Sequence, residues 1–122
     1  VKRGEQAHLE LGSLDSVKDW GYARDYAQGM WLMAQADTPR TYMLATGKGR
    51  SVGGFVQATA GALEMKDWND VVKVRPGLTR AEATPLIGDP GAAKTDLGWQ
   101  HSIGFRDLVE LMVQHELQGT MD

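Results

Sequence analysis

The stretch Leu11–Met33, LGSLDSVKDWGYARDYAQGMWLM, constrains the 122-residue chain more than any other part of it. It opens on a short apolar run and turns through Gly12, Ser13 and Asp15. It then carries Tyr22, Ala23, Tyr26, Ala27, Met30, Trp31 and Ala34 at three- and four-residue spacing. That period predicts an amphipathic helix from about Tyr22 to Ala36, with this stripe turned to the core. Asp19 precedes the stripe, where a carboxylate can cap open backbone N–H groups and meet the positive end of the helix dipole. Asp37, Thr38 and Pro39 end the helix, because Pro39 disfavours helical backbone at the residue before it.

The remaining elements follow from local pattern. Leu9, Leu11 and Leu14 suggest a short strand before the turn. Thr41–Thr46, TYMLAT, reads as a short buried strand. The glycine-rich GKGRSVGG follows, with Ser51 placed to cap a second helix bearing Val52, Phe55, Val56, Thr59, Ala60 and Leu63. Gly53 and Gly54 in its first turn cost about 1 kcal/mol each relative to Ala. Glu64–Asp70 reads as an exposed connection, Val71, Val72 and Val74 as a strand, and Leu78–Ile87 as loop. Asp89-Pro90 marks a helix start and Gly98 its end. Phe105, Leu108, Val109, Met112, Val113 and Leu117 fall at helical spacing, with Gly119 as the stop. The expected order is strand, helix, strand, helix, strand, helix, helix. That is an α/β fragment, α+β-like in places, with a small sheet and about four helices. Residues 1–122 form one domain, and 1–8 are expected to be flexible.

Composition narrows the function classes. A net charge of −3 offers no electrostatic case for nucleic acid or an anionic membrane. No cysteine is present, which removes disulfides and thiolate metal sites and fits a reducing, cytoplasmic setting. No apolar run reaches membrane-spanning length, and VKRGEQAHLELG has no signal-like apolar core. His8, His101 and His115 have no metal-site spacing. The strand–turn–helix around Gly47, Gly49 and Gly53 has the layout of a phosphate cradle. Its spacing is one residue too long for G-x-G-x-x-G and it lacks a P-loop ending, so it reads as an ordinary surface turn.

The string around Lys18-Asp19-Trp20-Gly21 resembles the GDP-mannose 4,6-dehydratases, which are extended short-chain dehydrogenase/reductases. Their common form is close to Leu-Gly-Asn-Leu-Asp-x-x-Arg-Asp-Trp-Gly-x-Ala-x-Asp-Tyr-x-x-Ala-Met-Trp-Leu-Met. The resemblance continues more weakly to the C-terminus and covers the family's C-terminal, substrate-binding third. It implies the fold of that lobe, which in the family packs on a dinucleotide-binding domain. It also implies site residues. Lys18 stands where the family's Arg contacts the diphosphate side of the nucleotide-sugar; it keeps the charge and loses the bidentate fork. Ser13 replaces the Asn after Leu-Gly. Arg80 and Glu82 match the Arg and Glu of Arg-Pro-x-Glu-Val-Asp, which hold the nucleoside, although Arg80 is one residue too close and Thr84 replaces the Asp. Without the resemblance, Lys18 reads as a solvated surface charge, and Arg80–Glu82 as a surface ion pair worth under about 1 kcal/mol.

The family's NADP-binding loop, its Tyr-x-x-x-Lys pair and its elimination residues precede the matched segment. Four residues after Tyr22, Tyr26 and Tyr42 stand Tyr26, Met30 and Thr46, so the pair is missing here. No catalytic, cofactor-binding or metal-binding residue is therefore assigned, and NADP is implied only for the full-length family. Two expectations follow. The chain retains a GDP-sugar surface of a lyase that needs another chain or domain for its chemistry, or it is a stand-alone, non-enzymatic binding or assembly module. Under both, the face that would meet the cofactor domain is expected to drive oligomerisation.

Overall fold

The computed structural model describes residues 1–75 and 85–118. The chain forms β1 (Leu9–Leu11), β2 (Val17–Lys18), α1 (Ala23–Gln35), β3 (Arg50–Ser51) and α2 (Val52–Ala62). It continues through α3 (Trp68–Val71), β4 (Val72–Val74), α4 (Gly91–Leu97) and α5 (Phe105–Leu117). The described strands make two small two-stranded sheets: β1 parallel to β4, and β2 antiparallel to β3. The mixed α/β organisation is the one the sequence pattern implies.

Helix α2 begins as its sequence dictates. The Ser51 hydroxyl accepts from the Gly54 N–H at 2.9 Å, closing the first turn. The glycine beside it has its own reason: a Cβ on Gly53 would lie 3.0 Å from the Leu14 carbonyl oxygen, and the Gly53 N–H donates to that same oxygen at 2.8 Å. The helix cost of this glycine is thus exchanged for contact with the 12–16 loop. Helix α4 starts with the Asp89 carboxylate accepting from the Gly91 N–H at 2.9 Å and stops at Gly98, whose φ of +67° is left-handed.

The core is small and lies between α2, α5 and the C-terminal side of α4. Ala60, Ala93, Trp99, Leu108, Val109 and Val113 are buried. Trp20, Phe55 and Phe105 form a continuous aromatic row, with centroids 4.7 Å apart for the first pair and 5.8 Å for the second. Residues 1–3 run along α2 and α5, where Lys2 Nζ donates to the Leu63 carbonyl and Arg3 to the Glu116 carbonyl, each at 2.6 Å.

Three expectations are corrected. Most of the apolar stripe of α1 does not face the core; only Tyr22 and Tyr26 of it are half-buried. Met30 is 59% and Trp31 61% exposed, and Ala23, Ala27 and Ala34 are also on the outside. The buried positions are Asp25, 4% exposed, and Gly29. The reason is a polar anchor that sets the rotation of the helix. The Asp25 carboxylate accepts from the Ser102 N–H at 2.8 Å and the Ser102 hydroxyl at 2.5 Å, and Trp99 Nε1 donates to the Asp25 carbonyl at 2.8 Å. Second, Thr41–Thr46 joins no ladder among the described residues, although Ala45 is buried. A strand needs a hydrogen-bonding neighbour, and neither two-stranded sheet reaches it. Third, the 64–70 connection contains the start of α3, which takes Val71 from the expected strand.

The Asp25 anchor makes a stability prediction. Asp25→Ala leaves the Ser102 donors without their acceptor and is expected to cost about 2–3 kcal/mol in urea unfolding. An unchanged midpoint would show that the helix is oriented by packing alone.

Candidate functional site

The candidate site is built on the 12–20 loop, and a single carboxylate fixes that loop. Asp19 Oδ1 accepts from the Thr46 N–H at 3.0 Å and the Thr46 hydroxyl at 2.5 Å. Its Oδ2 accepts from the Gly47 N–H at 3.0 Å and the Gly88 N–H at 3.2 Å. Asp19 therefore does not cap α1, as its sequence position suggests; Ala23 opens the helix too far along the chain, and Tyr22 occupies the capping position. Instead the carboxylate ties together three segments distant in sequence. Burial alone would raise the Asp19 pKa, but the hydrogen bonds from Thr46, Gly47 and Gly88 outweigh it and hold the group below the usual aspartate value.

The same bonds decide the glycine-rich turn. The N–H groups of Thr46 and Gly47 are taken up by a carboxylate of the chain, so they are not offered to a phosphate. These two amides of the turn are thus satisfied within the chain.

Lys18 closes β2, directly opposite Arg50 of β3. On its other side Lys18 bridges Leu86 in parallel, so it sits between two neighbouring segments. Trp20 Nε1 donates to the Arg50 carbonyl at 2.8 Å and locks the ladder to the aromatic row. Arg50 places its guanidinium carbon 5.4 Å from the centre of the Phe105 ring. The Ser13 hydroxyl accepts from the Asp15 N–H at 3.2 Å, a local turn contact that shapes the loop. Ser13 and Lys18 thus lie on one loop whose ends are fixed by Gly53, Val52 and Asp19: the Val52 N–H donates to the Ser16 carbonyl at 2.8 Å. Arg80, Glu82 and Thr84 lie outside the described residues.

Sequence reading did not single out Arg50 or Asp25. Nothing in the local pattern marks Arg50, because its place opposite Lys18 comes from strand pairing across 32 residues of chain. Asp25 carried a usable signal: a carboxylate directly before Tyr26, on a face otherwise apolar, is out of place unless it has partners.

The depressed pKa of Asp19 has a definite sign. The charged form is stabilised by folding, so its contribution is present above the unfolded aspartate pKa and is lost as pH falls through the lower folded value. Acid unfolding of Asp19→Asn is expected to lack this component, and the variant is expected to be less stable than the parent at pH 7 by about 2 kcal/mol. Parallel stability–pH curves for the two proteins would contradict the assignment.

Comparison with known proteins agrees with the motif. The family model described as GDP-mannose 4,6 dehydratase matches residues 1–112. GDP-mannose 4,6 dehydratase 2 of Arabidopsis thaliana is 40% identical over 97% of the chain, which spans 32% of that protein. GDP-mannose 4,6-dehydratase of Sinorhizobium fredii (strain HH103) is 38% identical over 96% of the chain and 38% of the relative. Among solved structures, RMD from Pseudomonas aeruginosa complexed with NADPH superposes with a TM-score of 0.78 at 17% identity, over 93% of this chain and 37% of that one. dTDP-glucose 4,6-dehydratase from Bacillus anthracis in complex with NAD gives 0.80 at 13% identity, over 93% and 35%. At these identities the structural likeness establishes the fold, that of part of an extended short-chain dehydrogenase/reductase. The chain spans about a third of the length of the relatives it matches. With both the motif around Lys18-Asp19-Trp20 and the fold in agreement, the chain belongs to the GDP-mannose 4,6-dehydratase family.

Proposed function

We propose that these residues form the nucleotide-sugar-binding part of a GDP-mannose 4,6-dehydratase-like lyase and do not run the reaction by themselves. The observation that carries the reading is the placement of Lys18. It stands on a ladder braced by Asp19 and Trp20, in the motif the family shares, with a second chain segment bridged to it at Leu86. A cation held this way suits the diphosphate of a GDP-sugar, with Ser13 on the same loop as a hydrogen-bonding group. Arg80 and Glu82 keep their proposed role at the nucleoside by family resemblance.

The chemistry of the full enzyme belongs, on this reading, to the rest of the family's length. No Tyr-x-x-x-Lys pair occurs in the 122 residues, and the one glycine-rich turn of suitable layout is filled by the Asp19 carboxylate. NADP is accordingly assigned to residues beyond these, and no catalytic role is given to any side chain described above. Calorimetric titration tests the binding reading. GDP-mannose and GDP are expected to bind saturably, UDP-glucose more weakly, and Lys18→Ala or Glu82→Ala to weaken binding by about tenfold, the loss of one charge-assisted contact. Absence of heat at millimolar GDP-mannose would sink it.

A second reading, a stand-alone assembly module, draws on the outer face of α1. Met30 and Trp31 are adjacent and largely exposed there, and Met43 is 57% exposed as well. Under either reading this face is proposed to be covered, by a second copy or by a chain carrying the missing domain. Light scattering of the purified chain is expected to show a homo-oligomer that Trp31→Lys dissociates; a stable monomer of the parent would contradict self-association.

A further inference from the structure

We infer that Lys48, Arg50, His101 and Arg106 form a site for a single dianionic phosphate group, in a recess that all four line. The inference goes beyond the nucleotide-sugar reading and does not rest on it, because it uses neither Lys18 nor Ser13. The ligand is a free phosphate ion or the phosphate end of a larger ester, which present the same oxygens.

The recess has a volume of about 250 Å³ and is built from two segments distant in the chain. The turn after Thr46 brings Lys48 and Arg50, and the approach to α5 brings His101 and Arg106. Each segment is braced by a carboxylate that takes no part in the recess itself. Asp19 accepts from the N–H and the hydroxyl of Thr46, and Asp25 accepts from the N–H and the hydroxyl of Ser102, the neighbour of His101. The Trp20 indole N–H holds the Arg50 carbonyl at 2.8 Å. The backbone that carries the cations is therefore in place before a ligand arrives, which lowers the ordering cost of binding.

Charge selects the ligand. Lys48, Arg50 and Arg106 share the recess with one carboxylate, that of Asp107, in a chain whose net charge is −3. Among the described residues the ion pairs join His8 and Arg75 to Glu10 and Arg40 to Asp96, and none takes any of these three cations. The local excess of two positive charges matches a phosphate dianion. The donors match its oxygens. The Arg50 guanidinium carbon lies 5.4 Å from the centre of the Phe105 ring, which also lines the recess. Resting on a ring occupies the face of a guanidinium and leaves its edge N–H groups to fork onto phosphate oxygens. Lys48 adds an ammonium with three donors, and His101 adds a ring N–H. The volume is below the roughly 300 Å³ at which drug-sized ligands begin to fit, so the recess admits one phosphate group and not a whole nucleotide.

Inorganic phosphate and methyl phosphate are the probes, titrated at constant ionic strength and slightly alkaline pH, where both are dianions, and followed by the backbone amide resonances. The amides of Lys48, Arg50, His101 and Arg106 are expected to shift together along one saturating curve that potassium chloride does not reproduce. Affinity is expected to fall about tenfold in Arg50→Gln and in Arg106→Gln, the loss of one charge-assisted contact each, and to stay within about threefold of the parent in Arg50→Lys. Resonances away from the recess that match the parent's show that each variant keeps the fold. Tighter binding of inorganic phosphate assigns the site to the free ion, tighter binding of methyl phosphate assigns it to the end of a larger ester, and either upholds it. No saturable shift in the parent, unchanged affinity in Arg50→Gln or Arg106→Gln, or equal shifts with chloride would overturn it.

Discussion

The Asp19 carboxylate is the constraint on which the rest of the candidate site depends. It gathers the N–H groups of Thr46, Gly47 and Gly88 and the Thr46 hydroxyl, which come from two stretches far from it in the chain. Once those are fixed, the positions on either side of Asp19 are fixed too. Lys18 is brought opposite Arg50 and beside Leu86, and Trp20 reaches the Arg50 carbonyl and Phe55. Each bond from a neutral donor to a charged acceptor contributes more than a neutral one, and removing the acceptor strands several donors together. The Lys-Asp-Trp triplet thus divides its labour. The middle residue builds the scaffold, and the last packs it onto the aromatic row.

A second polar anchor explains the orientation of α1. Asp25 is buried and satisfied by Ser102, and Trp99 lies over the helix close to Gly29 and stacked on Tyr26, with ring centroids 6.1 Å apart. The cost of burying a charge is met only with such partners, so this face is committed inward. Met30 and Trp31, farther along the stripe, are then left exposed.

Much of this was legible in the sequence, and the failures have a common cause. Helices α2, α4 and α5 follow from Ser51, Asp89-Pro90, Gly98 and the spacing of Phe105 to Val113, all local signals. The α1 span was equally clear, because periodicity reports that a stripe exists. It does not report which surface the stripe meets, and Asp25 and Trp99 settled that across 74 residues. The Thr41–Thr46 segment has strand composition but no described neighbour, since pairing belongs to the partner as much as to the residues themselves. For the candidate site, Lys18 and Ser13 could be nominated because they fall within a recognisable string. Arg50 could not, because its only credential is a cross-strand register. Asp19 was noticed for the wrong bond: its charge and its place before a helix suggested a cap, while the three amides it serves lie far away in sequence.

The most direct test of the account is a pH titration of the backbone amide resonances of Thr46, Gly47 and Gly88. If one carboxylate binds all three, their shifts move together with a single midpoint below that of an ordinary aspartate, and the movement vanishes in Asp19→Asn. Amides that titrate separately, or that still titrate in the variant, would contradict the claim that Asp19 organises the site.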